Sequence, residues 1–251
     1  MLDQLLQDKV SLVTGAGRGI GRSIAVTLAK AGSDIIVFDV NEADAKEVQA
    51  EIIASGRRCE ILVGDIRNPQ VCEQARTLAE QAFGRIDLLV NNAGIMDRKG
   101  TLDMALEDWQ RVIDINLNGL LYMSRALLPL MVKQNSGNIV NITSANGKTP
   151  HPNAAPSYGA TKAAVTYLTK HFALEFANHN IRVNAVQCGP IESLMTQQWS
   201  EEYRKAALSK IPLGRLGLPE DVANAVVYLA SDLSAFVTGV SLNLSGGKLM
   251  E

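Results

Sequence analysis

Seven short runs rich in Val, Ile and Leu recur along the chain, and longer helical patterns separate them. The runs are KVSLVT (9 to 14), DIIVFD (34 to 39), CEILVG (59 to 64), IDLLVN (86 to 91), NIVNIT (138 to 143), IRVNAV (181 to 186) and GVSLNL (239 to 244). Their apolar residues are nearly continuous rather than alternating, as strands covered on both faces require. Helices are expected at about 19 to 31, 42 to 55, 69 to 83, 107 to 133, 157 to 178 and 219 to 231. Asn68 before Pro69 reads as an N-cap followed by proline at the first helical position. Strand, helix, strand repeated in this order demands parallel pairing through right-handed crossovers, so the expected fold class is α/β, a doubly wound parallel sheet with helices on both faces.

No Pro, Gly or Ser linker, repeat or low-complexity stretch divides residues 1 to 251, so a single domain is expected. The one long segment without a strand, about 187 to 218, follows the carboxyl end of a parallel strand, where open sheets bind ligands. It reads as a substrate lid; a loosely packed surface element is the alternative.

A formal charge of -2 gives no electrostatic reason to expect nucleic acid or an anionic membrane as partner, and leaves small molecules. Cys59, Cys72 and Cys188 are odd in number and widely spaced, which suggests neither disulfides nor zinc and fits a reducing cytoplasm. His151, His171 and His179 match no metal-ligand spacing, so no metal is expected. The opening MLDQLLQDKV lacks an apolar secretory region, and no uncharged run reaches the length of a membrane helix.

The first strand runs into TGAGRGIG (14 to 21) and then a helix. Glycines let a backbone turn tightly against a pyrophosphate, and the free amides of a helix start attract it. The spacing is GxxxGxG, through Gly15, Gly19 and Gly21, rather than the commoner GxGxxG, because Ile20 stands where the third glycine would fall. The second strand ends at Asp39. A carboxylate there accepts hydrogen bonds from the adenosine ribose hydroxyls. It also repels a 2'-phosphate by roughly 3 kcal/mol per unit charge at about 5 Å and an effective dielectric near 20. Arg18 pulls the other way, but a solvated arginine pair returns only ~1 kcal/mol. The balance favours NAD over NADP.

In SYGATK (157 to 162), Tyr158 and Lys162 stand four residues apart, so on a helix they share a face. A cation beside a phenol favours phenolate and lowers the tyrosine pKa toward neutrality. The alternative is an amphipathic helix with a half-buried Tyr and a solvated Lys.

Together these stretches resemble the short-chain dehydrogenase/reductase family in its single-domain form, with its Rossmann-type seven-stranded sheet. TGAGRGIG matches TGxxxGxG, NNAG (91 to 94) matches the strand-four motif, and YGATK matches YxxxK. Asp65, Asn116 in DINLNG, Ser144 in NITSANG and the terminal FVTGVSLNLSGG extend the match over essentially the whole chain. The resemblance implies an NAD-dependent oxidoreductase acting on CH-OH groups. Moving a hydride to or from a carbinol carbon needs an acid/base on the substrate oxygen. The resemblance makes Tyr158 that group, Lys162 its electrostatic partner and holder of the nicotinamide ribose, Ser144 a donor to the substrate oxygen, and Asn116 the support of a water chain from Lys162. Thr143, on the other side of its strand, is the weaker candidate beside Ser144. Gly15, Arg18, Gly19, Ile20, Gly21 and Asp39 would hold the dinucleotide. Asp65 and Ile66 would flank adenine, Asn92, Ala93 and Gly94 would line the adenosine side, and Ile191 and Ser193 would meet the carboxamide.

The sequence departs from the family at NAVQCGPIES, where Cys188 replaces the usual proline and Pro190 follows Gly189. This moves the rigid point of the turn before Ile191 and Ser193. Cys188 reads as a packed residue, since no cation is near it in sequence. Asn146, His151, Gln187, Trp199 and Tyr203 would give a polar pocket suited to a sugar, polyol or hydroxy acid. A 3-oxoacyl thioester is the alternative, though such reductases usually favour NADP, and steroids also fit the chemistry. A non-catalytic dinucleotide sensor is the rival from another class, but it would need neither Ser144, Tyr158 nor Lys162. Homotetramers are common in the family, packed through the helices at 107 to 133 and 157 to 178 and the last strand.

Overall fold

The computed structural model describes residues 4–193 and 196–250. Seven strands, β1 (Val10–Thr14), β2 (Asp34–Asp39), β3 (Cys59–Val63), β4 (Leu88–Asn91), β5 (Gly137–Ser144), β6 (Ile181–Cys188) and β7 (Ser241–Leu244), form one sheet in the order β3-β2-β1-β4-β5-β6-β7. Every pairing is parallel. The order reverses between β1 and β4, and such a switch opens a crevice at the carboxyl ends of the strands.

Helices α1 (Gly19–Lys30), α2 (Glu42–Ala54), α3 (Pro69–Phe83), α4 (Leu106–Ile113), α5 (Gly119–Gln134), α6 (Pro156–Phe176), α7 (Glu201–Leu208) and α8 (Pro219–Ala230) flank it. On one face Ile24 and Leu28 of α1, Val48 and Ile52 of α2 and Val222 and Val226 of α8 pack on Val13, Val37, Val140 and Val186. On the other, Ala75 of α3, Met123 and Leu127 of α5 and Val165 and Phe172 of α6 pack on Leu12, Leu89, Ile139 and Val183. Burial on both faces is why the strands carry no polar alternation. Asn68 caps α3 as expected, its side chain accepting the Gln70 amide at 3.0 Å.

The helix expected at 107 to 133 is interrupted. A single π-helical turn, Asp114–Asn118, joins α4 to α5 and carries Asn116 into the interior. The segment 187 to 218, expected to hold no strand, takes in the end of β6, which runs to Cys188, and contains α7. EEYRKAAL has no buried residue and is only eight residues long. Among the described residues, no helix is long and apolar enough to cross a membrane.

Candidate active site

The glycine loop is braced from beneath. Gly15 and Gly19 adopt left-handed conformations, φ 62° and 55°, that side-chain-bearing residues resist. A Cβ at Gly21 would overlap the Gly15 carbonyl oxygen and come within 2.6 Å of Asn92 Nδ2. Exposed Arg18 occupies the N-cap of α1 without a side-chain cap, and the first turn holds no acid, so the leading amides remain open to an anion. Ile20 anchors this turn against the core.

Asn92 Nδ2 donates to the carbonyls of Thr14 and Gly15, each at 3.0 Å. Thr14 Oγ1 accepts the amides of Asn92 and Ala93, both at 3.0 Å, and donates to the Val90 carbonyl at 3.3 Å. Sequence reasoning passed over Thr14, although it is the first letter of the TGxxxGxG stretch. Asp39 completes the brace: Oδ2 accepts the Gly17 amide at 2.7 Å and Oδ1 the Asn41 amide at 2.9 Å. Its carboxylate therefore sits directly under the loop at the end of β2.

Asp65 forms a fork with Arg67, whose Nη2 lies 2.6 Å from Oδ2, and this guanidinium holds the carboxyl below its usual range. Ile66 is buried; its side chain presses on Gly119, where a Cβ would lie 2.8 Å from Ile66 Cγ2. Any adenine contact from Ile66 must therefore come from its backbone.

On α6, Tyr158 and Lys162 share a face, with Lys162 Nζ 5.7 Å from the phenol ring centroid. Lys162 is buried, and Nζ donates to the Ile142 carbonyl at 2.8 Å. Asn116 Oδ1 accepts the Ile95 amide and Nδ2 donates to the Ile95 carbonyl, both at 2.8 Å, so it satisfies both backbone groups of Ile95. Gly94 leaves room for this junction: a Cβ there would be 3.3 Å from Asn116 Oδ1 and 3.7 Å from Lys162 Nζ. Ser144, at the end of β5, accepts the Asn146 amide at 3.2 Å. Thr143 is turned away and donates to the Val186 carbonyl at 3.3 Å.

The electrostatics correct the expectation of a phenol acidified by lysine. Burial raises the Tyr158 pKa, hydrogen bonding to Ser144 draws it back, and Cys188 adds to the rise. Burial lowers Lys162 to about 8. Desolvation prevails because the ammonium is aimed at a carbonyl rather than at the phenol oxygen. Cys188 does have a cation near it: paired with Ser144 in the sheet, its thiol is pushed up to about 12 by burial while Lys162 pulls the other way. It remains a thiol at neutral pH.

In the segment expected to form a lid, Pro190 accepts the Gly217 amide at 3.0 Å and Ile191 bridges Gly217. Ser193 and Thr196 bond each other, the Ser193 amide reaching Thr196 Oγ1 at 2.8 Å. Leu194 and Met195, inside the expected lid, lie outside the described residues. Arg204 of α7 pairs with Glu192, and Tyr203 accepts from Asn153 Nδ2 at 3.1 Å while meeting Trp199 edge-on at 4.9 Å. α7 thus bridges the segment before α6 and the end of β6. Gln187 is a correction: only 1% exposed, it faces the same side as Thr143 rather than an open pocket.

The family model described as enoyl-(acyl carrier protein) reductase matches residues 15–248. The 3-oxoacyl-(acyl-carrier-protein) reductase of Thermotoga maritima is 39% identical over 242 residues, covering 96% of this chain and 98% of that protein. Its counterpart from Synechocystis is 42% identical over 247 residues, covering 98% of each. Among solved structures, a 3-oxoacyl-(acyl-carrier protein) reductase from Brucella melitensis superimposes with a TM-score of 0.95 at 35% identity, covering 100% of this chain and 94% of that one. Another from the same organism, with bound NAD, gives 0.92 at 34% identity and the same coverage.

Proposed function

Since the chain belongs to the short-chain dehydrogenase/reductase family and is an oxidoreductase using a nicotinamide dinucleotide, we propose that it reduces the 3-oxo group of an acyl thioester with NADH. The observation that carries the catalytic reading is the meeting of Ser144, Tyr158 and Lys162 at the carboxyl end of β5. The names of the relatives favour the thioester over the sugar, polyol or hydroxy acid that the polar side chains suggest.

The glycine loop fits a dinucleotide: Gly15 and Gly19 take left-handed turns, Gly21 lets the helix start lie against the Gly15 carbonyl, and Gly19 borders open space beside the uncapped start of α1. When bound, the nicotinamide supplies the hydride. Tyr158, kept protonated at neutral pH by burial, donates its proton to the substrate oxygen as charge develops there. Ser144 donates a hydrogen bond to the same oxygen. Lys162, mostly protonated at pH 7, holds the nicotinamide ribose and stabilises the phenolate left behind. Asn116 anchors the Ile95 backbone beside Lys162 and supports its proton supply. Residues 187 to 218 act as the lid. Exposed Tyr167 and Leu174 on α6 and Phe236 before β7 favour self-association through those faces.

Asp39 supports NAD, as does the NAD in a structural neighbour. The test is oxidation of NADH and NADPH, followed by nicotinamide absorbance, with 3-oxoacyl thioesters and with a panel of sugars and hydroxy-acid ketones. The expected result is thioester reduction with NADH preferred at least tenfold in kcat/KM, and Asp39→Ala narrowing that gap by about tenfold. Sugar turnover without thioester turnover would overturn the substrate reading, and equal use of both cofactors the NAD reading.

A further inference from the structure

Three basic side chains beside the lid take no part in the chemistry of Tyr158. His151 lies in the segment between β5 and α6, where its Nδ1 accepts the Asn153 amide at 3.2 Å. The side chain of Asn153 in turn reaches Tyr203 on α7. Beyond α7, residues 211 to 213 pack on the turn that follows β7: the Leu213 amide donates to the Gly246 carbonyl at 3.1 Å, and a Cβ at Gly247 would lie 2.9 Å from Pro212 Cγ. Gly246 and Gly247 take φ of 63° and 87°, and Lys248, next in the chain, lies close enough to Lys210 to feel its charge. The Gly189 amide, donating to the Leu244 carbonyl at 2.8 Å, ties this turn to the end of β6, next to the Ser144–Cys188 pair. One border of the lid thus carries His151, Lys210 and Lys248.

Elsewhere basic side chains find acids, as in Lys46–Glu42, Lys99–Asp108 and Arg215–Asp221. Among the described residues, the two lysines here meet no acid, neither Lys210 nor Lys248 having a carboxylate within ion-pair distance. The groups repel one another instead: Lys210 adds to burial in lowering Lys248, and both lysines add to burial in lowering His151. In a chain with more acidic than basic residues, two lysines gathered at the border of the segment expected to form a lid, beside a neutral imidazole, favour an anion.

We infer that His151, Lys210 and Lys248 form a subsite for the phosphate of a phosphopantetheine arm, with the acyl thioester at its other end reaching Tyr158 under α7. This rests on the thioester reading and adds to it how the carrier is recognised. Lysine ammonium groups suit a phosphate as point charges, and imidazole adds a hydrogen-bonding edge. Because Lys210 and Lys248 are exposed, each contributes modestly and salt screens them.

The test compares a 3-oxobutyryl thioester of 4'-phosphopantetheine with that of pantetheine, which differ only in the phosphate, on the full chain and on Lys210→Gln/Lys248→Gln. The expected result is a KM for the phosphorylated thioester raised about tenfold in the double variant, a similar rise for the unmodified chain in high salt, and no change for the pantetheine thioester. Restoration by Lys210→Arg/Lys248→Arg would support charge as the cause. Equal KM values for the two thioesters in the unmodified chain, or a parallel rise for both in the variant, would overturn the subsite while leaving the thioester reading intact. Failure of the unmodified chain to reduce either thioester, with other ketones reduced, would overturn that reading and the subsite with it.

Discussion

The two halves of the crevice are held in different ways. Under the glycine loop, Thr14, Asn92 and Asp39 supply buried or half-buried hydrogen bonds between backbone and short side chains. In the segment expected to form a lid, α7 is tied down by Asn153–Tyr203 and Glu192–Arg204, long side chains near the surface. Short, partly buried bonds to backbone groups leave few alternative arrangements, so the glycine-loop half is formed before its ligand arrives. The Asn153–Tyr203 bond is exposed and Glu192–Arg204 is an ion pair between long side chains, so both exchange with water more readily and the segment around α7 opens at smaller cost.

The largest effect that would sharpen this contrast is expected at Gly21. Gly21→Ala drives a methyl into the Gly15 carbonyl and toward Asn92, with no flexible side chain to yield. Isothermal titration should show dinucleotide affinity falling more than about 100-fold, or the chain losing several kcal/mol of stability. Affinity within threefold of the parent would mean that the loop adapts and the contrast is false.

Lys162 comes next. Its folded pKa of about 8 lies below the unfolded value near 10.5, so the unfolded chain binds the extra proton between these pH values. Below about pH 8 the full penalty for burying the ammonium is present. It fades as pH rises toward about 10.5. Lys162→Met should therefore gain stability relative to the parent at pH 7, with the titrating part of that gain, about 3 kcal/mol, disappearing by pH 10.5. Denaturant melts across this range would check it; a difference independent of pH would show that the lysine is not desolvated.

The smallest effect belongs to the lid. Tyr203→Phe removes one exposed hydrogen bond and should change the thermal midpoint by less than about 2 °C. KM for substrate should move about threefold with dinucleotide affinity unchanged. A fall in dinucleotide affinity as large as that from Gly21→Ala would erase the distinction between the halves.

The same difference explains what could be read from the sequence. The strands were legible from their apolar runs to within two residues at most ends, and the glycine loop and the Tyr158–Lys162 spacing from residue types with few other uses. Thr14 was not, since threonine at a strand end has many roles and its partners, Asn92 and Ala93, are 78 and 79 residues away. The π turn at Asn116 was hidden because apolar residues continue through it. α7 was missed for the opposite reason, having no buried face. The Lys162 environment depends on where Ile142 and Cys188 fall in neighbouring strands, and local spacing reports nothing of that.

The central claim, that Tyr158 delivers the proton while the dinucleotide half stands ready without it, is tested most directly by Tyr158→Phe. NADH binding measured by fluorescence and turnover of a 3-oxoacyl thioester should be followed on the same preparation. Unchanged NADH affinity with turnover reduced by about 10³-fold or more is the predicted result. Turnover within tenfold of the parent would contradict it.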